Sequence, residues 1–352
     1  MSPDEVEQLL DELEELDYHE RLPLAERAVQ LSDAMGDERL AWQARFALVT
    51  AAVFGGVPEK ALVNFAWLES KSAQDPERFP ASRAVGGLFL SETDVLWAYK
   101  WVGLHLAGFA SIPRPEIESV LERMLEQYTK HNVSLRPYWL TLARAQRDLG
   151  EPTDVVLASF AKSIAAPRDA YADCVACEWN ARVEMALLAE DIDEAVRCAQ
   201  LILDRPYSCA EVPQLTHSAM VVPLWRAGLK DMARMHHKRG YEISKSNPEF
   251  LTSIADHLDF RLLDSDWEGA VDLARTHEKW AAATRSDYRR LRFLVSVRAL
   301  HRMAPKPAGL REFGDVADVD HQVSQLVARF DTRNGNDATS RWLAERDATF
   351  SA

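Results

Sequence analysis

Three cysteines are the residues of this 352-residue chain best suited to site chemistry. Cys174 and Cys177 form a C-x-x-C pair directly after Asp173, and Cys209 follows further along the chain. In a reducing compartment, such thiols bind metal or carry out redox chemistry more often than they form a structural disulfide. The trio therefore predicts a structural zinc site.

A tetrahedral zinc site needs a fourth ligand besides the three thiols. His217 is the nearest histidine in sequence, about two helical turns beyond Cys209, and Glu211 or Glu178 could take its place. The spacing C-x-x-C…C…H is not that of a recognised zinc finger. Two other interpretations stay open, namely three free cysteines or a reversible disulfide within the C-x-x-C pair.

Helices are the elements that must position these cysteines. Apolar residues recur at three- and four-residue spacing along almost the whole chain, which predicts an all-α protein. Several segments repeat one pattern, in which an apolar helix ends, a short turn follows, and a second helix begins with a small residue. Aligning Ala195, Ala233 and Ala270 gives a period of about 38 residues. We therefore predict a tetratricopeptide-repeat (TPR)-like α-solenoid of stacked antiparallel helical hairpins, with an irregular α-bundle as the alternative.

Two loops interrupt the repeat. Prolines and glycines cluster at residues 75–87 and 304–314, where long loops are expected. In the last part of the chain, Asn334-Gly335 predicts a left-handed helix stop. The expected segments of one continuous solenoid are N-terminal hairpins over 1–74, a repeat array over 75–304 and capping helices over 305–352.

The cysteines can be placed on these hairpins. Cys174 and Cys177 fall at the start of the first helix of one hairpin, and Cys209 falls at the start of the first helix of the next. Equivalent helix starts in a stacked array lie side by side, about 10 Å apart, so the three thiols are expected to converge at the edge between two repeats. Cys198 shares an apolar helix face and is interpreted as a core residue.

A dense aromatic segment is the first candidate for partner binding. Trp97, Tyr99, Lys100 and Trp101 are close in sequence, and the two tryptophans at i and i+4 share one helix face. Such a stripe is usually core, whereas an exposed one marks an interaction site. Both interpretations stay open.

A second candidate is a basic and aromatic set on the second helix of a hairpin. His236, Arg239 and Tyr241 lie there with Lys238 nearby. They predict a patch that binds an anion or a carboxylate on an otherwise acidic protein, with a solvated helix face as the alternative. His257 is a further candidate, although a buried neutral histidine is the alternative, and so is Arg333, with helix capping as the alternative.

Charge and motif content exclude several functions. With 55 acidic and 41 basic residues, the formal net charge is −14, which repels nucleic acid. The amino terminus lacks a secretory signal pattern and no apolar run is long enough to cross a bilayer, so we expect a cytoplasmic protein that binds no membrane. No hydrolase, metalloprotease, phosphate-loop or dinucleotide motif is present. We therefore expect no enzymatic activity.

Several short motifs together resemble a group of actinobacterial TPR-like proteins of uncertain function. The resemblance covers much of the chain from about Leu96, whereas the first ninety or so residues resemble it only as generic hairpins. It implies a TPR-like array that acts through binding, it supplies no reaction, and His217 is not part of its pattern. The motifs are Leu96-Trp97-x-Tyr99-Lys100-Trp101, Asp173-Cys174-x-x-Cys177, Cys209-x-x-x-Pro213-Gln214, Pro223-Leu224-x-Arg226-x-Gly228, His236-x-x-Arg239-x-Tyr241, His257-Leu258-x-Phe260 and Phe330-Asp331-x-Arg333-Asn334-Gly335.

Three functional hypotheses remain from the sequence. The first, which we predict, is a scaffold whose concave face, lined by the first helices of the hairpins, binds a protein or peptide partner. The second is a cytosolic regulator that senses metal or redox state through the cysteines. The third is an enzyme with an unrecognised site in the groove. The sequence does not determine the oligomeric state.

Overall fold

The structure is a computed structural model that describes residues 2–13, 15–16, 18–82, 93–205, 207–303 and 310–350. Helices make up most of these residues and no strand occurs among them, which confirms the all-α prediction. No helix in the described ranges is both long and apolar enough to cross a membrane. Parts of the loops expected at 75–87 and 304–314 lie outside the described residues.

The chain divides into two compact units. The first comprises Met1–Leu149 and Ala158–Ala172, and the second comprises Gly150–Leu157 and Asp173–Ala352. This division does not coincide with the segment ends predicted near residues 75 and 305. The reason is that the helices on either side of each of those loops pack against one another within a single unit.

The first unit is built from consecutive packed helices, with a 3-10 turn at Leu106–Gly108. Its centre holds large, fully buried aromatic side chains, among them Trp42, Phe65, Tyr99 and Tyr128. The helices are α1 (Pro3–Leu13), α2 (Tyr18–Met35), α3 (Glu38–Phe54), α4 (Pro58–Gln74), α5 (Val95–His105), α6 (Arg114–Lys130), α7 (Arg136–Asp148) and α8 (Thr153–Ala165), the last of which is shared between the units.

The second unit contains the cysteines and most of the histidines. Its helices are α9 (Val175–Leu188), α10 (Ile192–Leu203), α11 (Gln214–Arg226), α12 (Lys230–Ser244), α13 (Leu251–Leu263), α14 (Trp267–Ala283), α15 (Asp287–Met303), α16 (Val316–Asn334) and α17 (Ala338–Thr349). Adjacent helices pair as α9 with α10, α11 with α12, and α13 with α14. The first helices also pack in succession, α9 on α11, α11 on α13 and α13 on α15. Successive hairpins of this unit therefore contact one another through their first helices.

One turn geometry joins the two helices of each of these hairpins. Glu190, Gly228 and Ser265 occupy equivalent positions and all have positive φ, at 57°, 80° and 61°. The next amide in each turn donates a 2.9 Å hydrogen bond to the carbonyl five residues earlier, which closes the preceding helix. The small residues aligned from the sequence follow in the second helices and are fully buried, namely Ala195, Ala233 and Ala270. The predicted hairpin pattern is confirmed at these three turns.

Local sequence also determines how α16 ends. Gly335 has φ of 70° and its amide donates to the Asp331 carbonyl, which confirms the left-handed stop predicted from Asn334-Gly335. The next helix, α17, begins three residues later, at Ala338, and has no fully buried residue. It is therefore held to the rest of the unit by partly exposed side chains.

Candidate functional site

The three predicted thiols converge. The Sγ atoms of Cys174, Cys177 and Cys209 all lie within 4.8 Å of one another, and the Cys177 and Cys209 sulfurs are 3.1 Å apart. Cys174 is the N-cap of α9 and its sulfur accepts a hydrogen bond from the Cys177 amide. Cys209 lies in the loop before α11. The site therefore connects the start of one hairpin to the entry of the next, as expected from the sequence.

Cys209 is the thiol best suited to be a thiolate. The Cys177 thiol donates a hydrogen bond to it and lowers its pKa to about 5, with a further contribution from the Glu211 amide, which donates over 3.4 Å. The Cys177 pKa is raised, because its proton is held by the Cys209 sulfur and because it is buried. The hydrogen bond between the two sulfurs therefore favours the thiolate form of Cys209, and a thiolate is the form that binds metal.

The spacing of the sulfurs fits a soft metal ion. Zn–S bonds of about 2.3 Å in tetrahedral geometry place sulfurs about 3.8 Å apart, a value between the 3.1 Å contact and the 4.8 Å limit of this cluster. Among the described residues, no histidine or carboxylate joins the group within that limit. The chain thus supplies three ligands, and exposed Cys174 places the site at the surface.

His217 is not the fourth ligand that the sequence suggested. It is 3% exposed on α11, and its Nδ1 atom lies 3.1 Å from Nδ1 of His236. The predicted carboxylate substitutes, Glu178 and Glu211, also fall outside the thiol group. The prediction failed because sequence distance along a helix does not define side-chain direction, and the buried face of α11 takes His217 away from the thiols.

The structure also changes the expected redox pair. All four cysteines are free thiols, and the two whose sulfurs are in contact are Cys177 and Cys209, on different hairpins. Oxidation is therefore expected to link those two instead of the C-x-x-C pair. Cys198 is fully buried in the apolar core, as predicted.

The aromatic segment of α5 forms part of the core of the first unit. Tyr99 is fully buried against Phe65, and Lys100 is 7% exposed with its ammonium donating to the Tyr171 carbonyl over 2.8 Å. The partner-binding interpretation of Tyr99 and Lys100 is therefore wrong, because neither side chain reaches the surface. Trp97 and Trp101 are partly buried and pack edge to face with centroids 6.4 Å apart.

The predicted histidine patch is mostly an interior cluster. His236 and His257 are 2% and 0% exposed and Tyr241 is half-buried, so the patch is not a solvated surface. The rings of His257 and Tyr241 meet that of His237, and the Tyr241 hydroxyl lies 3.2 Å from Nε2 of His277, whereas the ring of His236 meets that of His217. Sequence reasoning missed the role of His237, although its position beside His236 was the available signal.

Burial keeps this cluster neutral. The pKa values of His217, His236, His237 and His277 are lowered to about 4, in each case first by desolvation. His257 is lowered well below its usual value for the same reason, with further repulsion from neighbouring rings. Neutral imidazoles with low pKa values act here as packing groups.

Arg239 and the neighbouring Lys238 are the exposed residues of the predicted patch. They line an open cleft of about 790 Å³ along α12 together with Arg234, the exposed apolar side chain of Ile243, and Glu242, whose carboxylate is paired with Lys245. Arg234 is paired with Asp264. Arg239 and Lys238 have no ionic partner among the described residues. The positive charge predicted on this helix is therefore available at a cleft.

Arg333 has a local structural role. Its Nε donates to the Asn334 side chain over 2.5 Å, and its guanidinium lies 5.4 Å from the Phe330 ring. These contacts fix it at the end of α16, in agreement with the capping alternative. A partner contact at Arg333 stays a prediction.

Comparison with family models, curated proteins and solved structures finds no match for this chain. Among the described residues of the second unit, the thiol cluster and the α12 cleft bring together groups that could bind a ligand. They are the basis for a functional proposal.

Proposed function

We propose that this chain is a non-enzymatic TPR-like scaffold that binds an acidic segment of a protein partner in the α12 cleft. One observation carries the proposal: two cations without ionic partners, Arg239 and Lys238, line an open cleft on a chain of net charge −14. Arg234, which lines the same cleft, is by contrast paired with Asp264. Unpaired cations in a cleft are suited to a carboxylate from outside the chain.

The apolar part of the cleft supports a peptide over a small anion. Ile243 is 42% exposed and Met235 is partly exposed in the same cleft. An exposed apolar side chain beside free cations suits a segment with an acidic residue next to an apolar one. The successive hairpins of the second unit supply a rigid support for such a surface.

Charge reversal at the cleft tests this proposal. We expect Lys238→Glu combined with Arg239→Glu to reduce partner capture by about tenfold or more, because each carboxylate contact becomes a repulsion. The measurement is affinity capture with the full-length protein, quantified by mass spectrometry and repeated at increasing salt.

Lys279→Glu combined with Arg285→Glu provides the matched control, since both residues are exposed in the same unit and outside the cleft. This control should retain the captured partners. Equal capture by the cleft variant and the wild-type protein would refute the proposal, as would a set of partners whose contact segments are basic.

We also propose that the three thiols bind a zinc ion that fastens neighbouring hairpins. The observation that favours this second activity is the convergence of the three sulfurs from two hairpins. The loop that carries Cys209 continues into Pro213, which borders the α12 cleft. Metal at the thiols would therefore stiffen one edge of the proposed partner site and give it the metal sensitivity of a regulator.

Zinc binding has a direct test. We expect the reduced protein to take up about one equivalent of Zn²⁺, or of Co²⁺ with thiolate charge-transfer absorption, and to gain several degrees in Tm because only the folded state forms the site. Cys209→Ser should abolish the uptake and the gain. Cys198→Ala is the control, since Cys198 is not one of the three converging thiols. Three freely alkylated thiols in protein purified without chelator and incubated with Zn²⁺ would exclude the site.

A further inference from the structure

The last helix, α17, is joined at its start to α16, where the Asp331 carboxylate accepts from the Thr339 and Ser340 amides, and it reaches α13 and α15 through one stripe of long side chains. Its partly buried residues recur at helical spacing and include Trp342, Arg346 and Phe350, whereas Arg341 and Glu345 on the other side are exposed. No residue of the helix is fully buried. A helix of 12 residues is short enough that its stability depends on the surface beneath it.

Arg346 is the centre of this attachment. Its guanidinium contacts the carboxylate of Asp259 on α13, which is fully buried and has no other ionic partner among the described residues. It also donates to the Ser296 hydroxyl on α15 over 3.1 Å and lies over the rings of Trp342 and Phe350, 5.7 and 5.5 Å from their centroids. The Arg346 guanidinium therefore lies between α13 and α15 and contacts a polar side chain on each.

The surface under α17 is charged as well as apolar. Asp256 on α13 is paired with Arg292 on α15, and that guanidinium lies 5.3 Å from the Trp342 ring centroid. Nearer the end of α17, Asp347 is held by Arg298 at 3.1 Å and by Arg302 at 3.2 Å. The pattern Trp-x-x-x-Arg-Asp on one helix is thus complementary to a set of charges on α13 and α15.

This complementarity has a consequence for the surface itself. Asp259 is buried with Arg346 as its ionic partner, so removal of the arginine leaves a desolvated carboxylate without a counter-ion. When α17 leaves, the face of α13 and α15 therefore favours another segment that brings a guanidinium to Asp259. α13 and α15 belong to the succession of first helices, the layer expected to receive a partner.

We propose that the face of α13 and α15 beneath α17 is a binding surface for an amphipathic helix with an aromatic residue and an arginine four residues apart, and that α17 is its intramolecular occupant. A partner helix with the same pattern binds by displacing α17. This surface is separate from the α12 cleft and takes a basic group, whereas the cleft takes an acidic one. The geometry that carries it is the Arg346 position between Asp259 and Ser296.

The test uses the full-length protein and a labelled peptide of residues 336–350. We expect the wild-type chain to bind this peptide weakly because α17 occupies the surface. The Arg346→Glu chain should release α17 and bind the wild-type peptide at least about tenfold more tightly, while a peptide that itself carries Arg346→Glu should not bind. Hydrogen exchange of the α17 amides should become faster in this variant.

Arg341→Glu is the matched control, because it makes the same charge change on the exposed side of α17, where Asp337 is the one ionic partner of Arg341 within the described ranges. In the full-length chain, Arg341→Glu should leave the hydrogen exchange of α17 slow and the binding of the wild-type peptide weak. In the peptide, the same change should leave the affinity for the Arg346→Glu chain within about twofold of that of the wild-type peptide. An Arg346→Glu chain that keeps its helical circular dichroism but does not bind the wild-type peptide overturns the proposal.

A second experiment applies if the Arg346→Glu chain does not fold. A protease site placed at the Gly335 turn of the full-length chain allows α17 to be cut after folding. The cut helix should then exchange with an excess of labelled wild-type peptide and not with the Arg346→Glu peptide. A cut α17 that never exchanges, or a vacated surface that binds neither peptide, overturns the proposal. The two proposals can fail separately. If the peptide exchanges with α17 while the Lys238→Glu, Arg239→Glu variant still captures its partners, the cleft proposal has failed and the present one stands.

Discussion

Between pH 7 and pH 5, the free energy of unfolding of the second unit is expected to fall steeply as its buried histidines are forced to accept protons. His217, His236, His237 and His277 have folded-state pKa values of about 4, against about 6.5 for a free histidine. Below pH 6.5 the unfolded chain therefore binds more protons than the folded chain. The stability from neutral burial is complete above pH 6.5 and is lost as pH falls, at about 1.4 kcal/mol per pH unit for each proton.

The measurement is chemical denaturation followed by circular dichroism at intervals between pH 7.5 and pH 5, a range above the usual titration of carboxyl groups. His237→Phe should reduce the slope by about one proton, because the ring stacks on Phe260 at 4.6 Å and its Nδ1 has no hydrogen-bond partner. His321→Gln on α16, where the side chain is exposed, should leave the slope unchanged. A pH-independent unfolding free energy across this range would show that the cluster is solvated.

Gly240→Ala is expected to destabilise the second unit by about 1–3 kcal/mol, although alanine is the better helix former. Gly240 lies in α12 where that helix crosses α11 and α13. A Cβ atom built there would lie 2.5 Å from Cβ of His217 and 2.9 Å from Cε1 of His257. Both contacts are far inside van der Waals separation, and the first involves an atom that cannot move without its helix. The helices must therefore separate or the histidine rings must leave their positions.

Ser244→Ala is the matched control for this prediction. Ser244 is fully buried one turn further along the same face of α12, and its hydroxyl has no hydrogen-bond partner. Its removal should be neutral or stabilising, because an unsatisfied buried hydroxyl costs free energy. Thermal and urea unfolding of both variants at pH 7.5 provide the comparison. Equal stability of Gly240→Ala and wild type would show that the close helix crossing at Gly240 is not required.

The hairpin turns show what local sequence can specify. The acidic or glycine-containing turns were recognisable, and the structure places a left-handed residue at the same point in three of them, whether that residue is Glu190, Gly228 or Ser265. The small residue that follows was recognisable for the same reason, since two helices that leave one turn must approach closely at their bases. These features depend on residues close together in the chain.

The thiol cluster was predictable in part. Its convergence followed from the placement of Cys174 and Cys209 at the entries of successive hairpins, because the hairpin repeat fixes that distance. The identity of the contacting pair and the exclusion of His217 did not follow. Both depend on the rotation of α11 about its axis, which is set by packing against α12 and α13.

Sequence alone determined the helical class, the hairpin pattern, the core position of Cys198 and the left-handed stop at Gly335, because periodicity, turns and capping are encoded by neighbouring residues. The tertiary structure decided which candidates face solvent. It buried Tyr99 and Lys100, gathered histidines from four helices into one interior cluster, left Arg239 free at a cleft and placed Arg346 of the last helix against Asp259. Each of these outcomes depends on how helices far apart in sequence cross and rotate, and that geometry is fixed only when all their faces are packed together.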